Sequence, residues 1–154
     1  MICRPAAVKV MEVPEGEAEA SLVRFEREVH LSAHLTHPNT IQIYDYGRTP
    51  DGTFYYVMEL LNGVSLAKFI ETARTVPEAR TIHLVRQMCE SLREAHAIGL
   101  IHRDIKPGNI HICERGGRYD FVKVLDFGLV KDIEAEEEQT NLTGDTAFGT
   151  PGFV

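Results

Sequence analysis

Cysteine is scarce. Cys3, Cys89 and Cys113 are odd in number and far apart. That excludes a disulfide framework or cysteine-built zinc site and reads as reduced thiols of a cytoplasmic protein. No apolar run approaches the roughly 20 residues of a membrane span, and no signal-peptide pattern opens the chain. A parent chain carrying a membrane anchor elsewhere remains compatible with this. Excess positive charge is also missing. With 16 Lys and Arg against 23 Asp and Glu, the net charge is −7, which argues against nucleic acid as a partner and gives no membrane-surface signal. The block Asp132-Ile133-Glu134-Ala135-Glu136-Glu137-Glu138 concentrates the acid and reads as a solvated loop. There are no internal repeats, and Gly-x-Gly-x-x-Gly occurs nowhere. What is present is a chain of 154 residues, 44% hydrophobic and 25% charged. Those are the proportions of a soluble globular protein, one domain or a piece of a larger one.

Along the chain, Pro5 to Val13 alternates as a strand, with Ala6, Val8 and Val10 on one face and Ala7, Lys9 and Met11 on the other. Pro14-Glu15-Gly16 breaks it. A helix is expected from Glu17 to Leu35, its apolar stripe formed by Leu22, Phe25, Val29 and Leu35, until His37-Pro38-Asn39 stops it. Ile41–Gly47 and Thr53–Leu61 read as a hairpin around Pro50-Asp51-Gly52. Asn62-Gly63 is a breaker, and Ser65 is placed to cap a short helix. Glu78 to Ile98 is a long helix that Gly99 ends; Ile82, Val85, Met88 or Cys89, and Leu92 are expected to face inward. Short strands at Ile110–Cys113 and Val122–Leu125 flank Gly116-Gly117, and loop follows from Asp126.

The chemistry is concentrated in His102-Arg103-Asp104-Ile105-Lys106-Pro107-Gly108-Asn109 and Asp126-Phe127-Gly128. Phosphoryl transfer needs a carboxylate to orient a hydroxyl, a cation beside the migrating phosphate, and oxygen ligands for metal ions. Asp104, Lys106 and the Asn109–Asp126 pair supply these types in order. Glu28 sits on the edge of the first helix's apolar stripe, where an unpaired carboxylate is costly to bury, so a cationic partner is expected. The plainer alternative is a surface Glu in the charged run Arg24-Phe25-Glu26-Arg27-Glu28. Composition alone makes Met58-Glu59-Leu60-Leu61 a buried strand. His34 and His37 are metal-ligand types by chemistry. Cys89 reads as core.

These motifs resemble the protein kinase superfamily, from about Ala6 to the last residue. The resemblance implies an α+β, two-lobe kinase-like fold truncated at both ends. Residues 1–61 would be a partial small lobe and hinge, and residues 62–154 a partial large lobe ending in the activation segment. Ala6-Ala7-Val8-Lys9 loosely matches the family's Val-Ala-Ile-Lys motif. By that match Lys9 grips the α- and β-phosphates of ATP, Ala7 covers the adenine, and Glu28 pairs with Lys9. Asp104 orients the attacking hydroxyl, Lys106 neutralises the γ-phosphoryl group, and Asn109 and Asp126 hold Mg²⁺. Met58 guards the back pocket, and the Glu59 carbonyl and Leu61 N–H meet the adenine edge. Leu35-Thr36-His37-Pro38-Asn39 is similar to the family's helix-to-strand connector, which implies a structural role for His34 and His37 instead of metal ligation.

His111 departs from the family pattern at the floor under the adenine. Ser32 departs where a bulky residue usually stacks with Ile43, His102 and Phe127. Lys at 106 resembles the serine/threonine class, similar to the eukaryotic-like kinases of bacteria, with Ser/Thr-containing proteins as substrates. Arg103 would pair a phosphate on the activation loop, with Thr146 first, Thr143 second, and Thr150 in the docking-loop motif Gly149-Thr150-Pro151. The absent glycine loop and the absent Ala-Pro-Glu imply that this chain alone is inactive. The alternatives are a non-catalytic interaction or nucleotide-binding module and a small-molecule phosphotransferase of kinase-like fold.

Overall fold

The computed structural model describes residues 4–11, 19–73 and 75–127. The acidic block at Asp132–Glu138, the Gly149-Thr150-Pro151 motif, and Thr143, Thr146 and Thr150 all lie outside those residues. So do the side chains of Leu22 and Phe25.

Strand β1 (Ala6–Met11) keeps the alternation of its sequence, with Val8 and Val10 each 60% exposed and Ala7 and Lys9 turned inward. Helix α1 (Glu19–Ala33) buries Val29. The hairpin β2 (Ile43–Arg48) and β3 (Phe54–Glu59) forms across the expected turn. Together they make an antiparallel sheet in the order β1-β3-β2, with Ala7 opposite Met58 and Lys9 opposite Tyr56. Val29, Ile43, Phe54 and Tyr56 form its core.

Strand β4 (Gly63–Ser65) was not expected beside the Asn62-Gly63 breaker. It pairs with β5 (Ile110–Arg115), which pairs in turn with β6 (Arg118–Val124). Gly63 is needed there because a Cβ would lie 2.3 Å from the Ile112 carbonyl oxygen. The Ser65 hydroxyl accepts the Lys68 N–H at 3.2 Å and caps helix α2 (Leu66–Ala73), as its position predicts. Helix α3 (Glu78–Ala97) ends at Gly99, whose φ of +78° suits glycine.

The inward face of α3 differs from the expectation. Its buried residues are Leu84, Gln87, Ser91 and Ala95, whereas Ile82 and Val85 are exposed, and so is Cys89, which is therefore not core. Met88 and Leu92 do pack against the large-lobe cluster. The physical reason is polar pairing. Gln87 accepts the Asn39 side-chain N–H at 2.9 Å and the Val122 N–H at 3.1 Å, and Ser91 meets Thr40 at 2.7 Å. Buried polar groups with partners are tolerated, and an apolar count overlooks them.

The large-lobe core gathers Leu35, Leu84, Leu100, Ile110, Val122, Val124 and Phe127. The connector after α1 joins both parts. Asn39 accepts the Val124 N–H at 2.7 Å, and the Ile41 N–H reaches the Val124 carbonyl at 2.9 Å. His37 serves structure: its N–H and that of Thr36 bond the Glu94 carboxylate, while its Nδ1 accepts the Asn39 N–H. His34 Nδ1 lies 2.7 Å from the His30 carbonyl oxygen. Among the described residues, no helix is long and apolar enough to cross a membrane.

Candidate active site

The segment 101–106 carries no regular structure and runs into a 3₁₀ turn at Pro107–Asn109, where proline suits the first position. This turn brings Asn109 back under Asp104. The Asn109 amide donates to the Asp104 backbone carbonyl at 2.9 Å and to Oδ2 at 3.0 Å, and Lys106 Nζ lies 2.7 Å from the same Oδ2. The Asp104 carboxylate is thus oriented by two donors from its own loop. Its backbone N–H meets His102 Nδ1 at 3.3 Å, while His102 Nε2 lies 2.8 Å from the Leu125 carbonyl oxygen. The second contact requires a proton on Nε2 and the first a lone pair on Nδ1, so His102 is neutral. Burial pushes its pKa below the ordinary histidine value. Its ring packs on Phe127 with centroids 4.6 Å apart.

Asp126 follows β6 with a φ of +58°. Lys9 Nζ lies 2.7 Å from its Oδ2, and the Tyr56 hydroxyl donates to Oδ1 at 2.5 Å. Burial, then the neighbouring carboxylate, keeps the Tyr56 phenol protonated by raising its pKa well above the usual tyrosine range.

The expected Lys9–Glu28 pair is not formed. Lys9 reaches across to Asp126, and Glu28 bonds Arg103 at 3.1 Å. Arg103 has a backbone φ of +61°, and its guanidinium is a cation that meets that helix edge. Glu28 therefore has the cationic partner its position demands, though not the one expected. Around these two residues lies a cavity of about 260 Å³, lined by Arg27, Leu31, Leu100 and Ile101 as well.

At the hinge, the Glu59 carboxylate accepts the Gln42 N–H at 2.9 Å and the ammonium of Lys123. Lys123 is only 4% exposed, and its Nζ also donates to the Thr40 carbonyl at 2.9 Å. Burial lowers its pKa, and the bond to Glu59 opposes that. Leu61 is half-buried beside this anchor, and Met58 packs on the small-lobe core. Ala7, on β1, stands opposite Met58. His111 is half-buried, and its Nδ1 is buried without a hydrogen-bond partner. Burial lowers its pKa, while the Asp126 charge raises it. Ser32 is buried with its hydroxyl also unpartnered.

The sequence reading missed Tyr56 and Lys123. Lys123 had a signal, a cation inside the apolar run Phe121-Val122-Lys123-Val124-Leu125. Tyr56 shares a strand face with Met58, but nothing local indicates its acceptor.

Residues 2–154 match the family described as "Protein kinase domain". The chain belongs to that family. It is 36% identical to serine/threonine-protein kinase pkn3 of Myxococcus xanthus, over 88% of this chain and 25% of that protein. It is 37% identical to serine/threonine-protein kinase PknB of Mycobacterium tuberculosis, over 98% of this chain and 24% of that protein. The kinase domain of Mycobacterium tuberculosis PknI superposes with a TM-score of 0.71 at 26% identity, covering 82% of this chain and 50% of that domain. The chain thus spans about a quarter of the length of these curated relatives and half of the solved kinase domain, whose fold it shares over the matched part.

Proposed function

We propose that this chain carries the nucleotide cleft and catalytic loop of an ATP-dependent protein serine/threonine kinase. The observation that carries the proposal is the Asp104 carboxylate held by Lys106 and Asn109 on one loop, with Asp126 held by Lys9 at the neighbouring strand end.

The donor set fits a hard divalent cation. Asp126 offers carboxylate oxygens, and the Asn109 amide nitrogen is spent on Asp104, which leaves its oxygen as the acceptor. Bound Mg²⁺ would neutralise charge on the transferring phosphoryl group. Asp104 orients the hydroxyl of a protein Ser or Thr and accepts its proton. Lys106 lies beside the same oxygen and stabilises the migrating phosphoryl group. Lys9 positions the α- and β-phosphates, which requires it to share or leave Asp126. Ala7, the Glu59 carbonyl, the Leu61 N–H and His111 border the adenine. The unpartnered Nδ1 of His111 is a polar atom that a nucleotide edge can satisfy.

Glu28 supports Lys9 only after it exchanges Arg103 for the lysine. Arg103 would then be released toward a phosphate on Thr146, Thr143 or Thr150. Proteins containing Ser or Thr are the proposed substrates, and the cytoplasm is the proposed location.

The Lys9–Asp126 and Glu28–Arg103 pairing also favours a second reading, a non-catalytic module that binds a nucleotide or partner without turnover. Incubation with Mg²⁺, γ-labelled ATP and Ser, Thr and Tyr peptides decides between them. Label on Ser or Thr that vanishes in Asp104→Asn supports the kinase. Nucleotide binding without label transfer supports the module.

A further inference from the structure

In the chemistry proposed above, Asp126 binds metal, while the phenol that holds it has no assigned role. Tyr56 is 1% exposed and packs among Val29, Ile43 and Phe54. Phenylalanine would fill that space equally well. A buried hydroxyl is costly unless it finds an acceptor, and this one finds a carboxylate at 2.5 Å. Lys9 Nζ occupies the other oxygen at 2.7 Å and lies 5.9 Å from the Tyr56 ring centroid. Both donors belong to the small-lobe sheet, on β1 and β3, whereas the Asp126 backbone continues from β6. The pair therefore draws the carboxylate toward the small lobe.

A carboxylate has about four lone-pair directions. Each charge-assisted hydrogen bond takes one and withdraws electron density from the oxygen that accepts it. A cation arriving at Asp126 must share Oδ1 with the phenol or displace it. A lysine that turns to a nucleotide phosphate frees Oδ2 but leaves the Tyr56 contact in place.

We propose that Tyr56 is a positioning residue that sets the divalent-cation affinity of Asp126: its hydroxyl holds Oδ1 and competes with the metal. The site then loads metal readily only when further oxygen donors, such as nucleotide phosphates, compensate. This rests on Asp126 being a metal ligand.

The test uses Mn²⁺ alone as the probe, with free ion counted by electron paramagnetic resonance, on the full chain. The proteins compared are wild type, Tyr56→Phe, Asp126→Asn and the double variant. Tyr56→Phe should bind Mn²⁺ about ten-fold more tightly, the scale of one lost hydrogen bond to a charged group. The double variant should lose that gain. A lesion in packing alone moves affinity the other way, so the sign separates competition from structural damage. Equal or weaker Mn²⁺ binding by Tyr56→Phe, with the far-ultraviolet circular dichroism of wild type, overturns the proposal. A gain that survives in the double variant means the ion is not on Asp126. That outcome overturns the metal-ligand reading beneath the proposal, and is told apart from the first by the double variant alone.

Discussion

Asp104 and Asp126 are the two acids of the candidate site, and they are held in opposite ways. Asp104 is oriented by Lys106 and Asn109, both on its own loop. Asp126 is oriented by Lys9 and Tyr56, which are 117 and 70 positions away in the chain. The loop around Asp104 keeps its geometry through local turn chemistry, since Pro107 starts the 3₁₀ turn that carries Asn109 back. The Asp126 carboxylate keeps these partners only while the two sheets stay together. Lys106 and Asn109 move with Asp104, whereas Lys9 and Tyr56 lie on the other sheet, so motion between the sheets acts directly on the contacts of Asp126.

The strongest way to break the contrast is to remove the local acid's function without its shape. In a kinase-active form of the protein, Asp104→Asn should lower kcat by about 10²- to 10⁴-fold, the range of one acid–base group. The dissociation constant for Mg·ATP should stay within a factor of about two. Kinetics on a Ser or Thr peptide, beside calorimetric nucleotide titration, check both. Equal loss of binding and rate would mean Asp104 is structural.

Next in size is the packing that holds the Asp126 end. Phe127 is 1% exposed and lies against His102. Phe127→Ala should cost about 3–5 kcal/mol by denaturant unfolding, from lost burial and the cavity left behind. A cost below 1 kcal/mol would show that this end is not anchored by the large-lobe core.

A third effect joins the two acids through His102, which bonds the Asp104 N–H and the Leu125 carbonyl. Its folded pKa is lowered, first by burial. Between that value and the ordinary histidine value of about 6.5, the unfolded chain holds the proton and the folded chain does not. Stability is therefore full above the ordinary value and falls as pH drops through the window toward the folded value. His111 is shifted in the same direction, again chiefly by burial, and adds to the slope. Unfolding midpoints measured across this window should fall with pH, and the slope should shrink in His102→Asn.

The smallest effect belongs to the exposed side of the site. Arg103 is 43% exposed at its bond to Glu28, which is 14% exposed, so solvent screens the guanidinium side of the pair. Arg103→Ala should cost about 1–3 kcal/mol, because it strips a partner from the mostly buried Glu28 carboxylate. A larger loss would give this contact the anchoring role assigned above to Phe127.

Much of the fold was legible because its signals are local. Alternation set β1 with Lys9 facing inward, and glycine set the end of α3 at Gly99. Ser65 capped α2 as its position required. The α3 face was not legible. Its buried side uses Gln87 and Ser91, whose partners Asn39 and Thr40 come from a distant connector, and apolar spacing favoured Ile82 and Val85 instead.

The sequence by itself determined the family and which groups the 102–109 loop gathers, because order and spacing fix which groups a short turn brings together. Tertiary structure decided which charges meet. Whether Lys9 faces Glu28 or Asp126, and whether Glu28 faces Arg103, depends on how α1 sits against both sheets. Tyr56 on Asp126 and Lys123 on Glu59 depend on how the two sheets pack. The physical reason is that an ion pair is chosen by distance in space, and residues far apart in sequence acquire that distance only when the lobes close on one another.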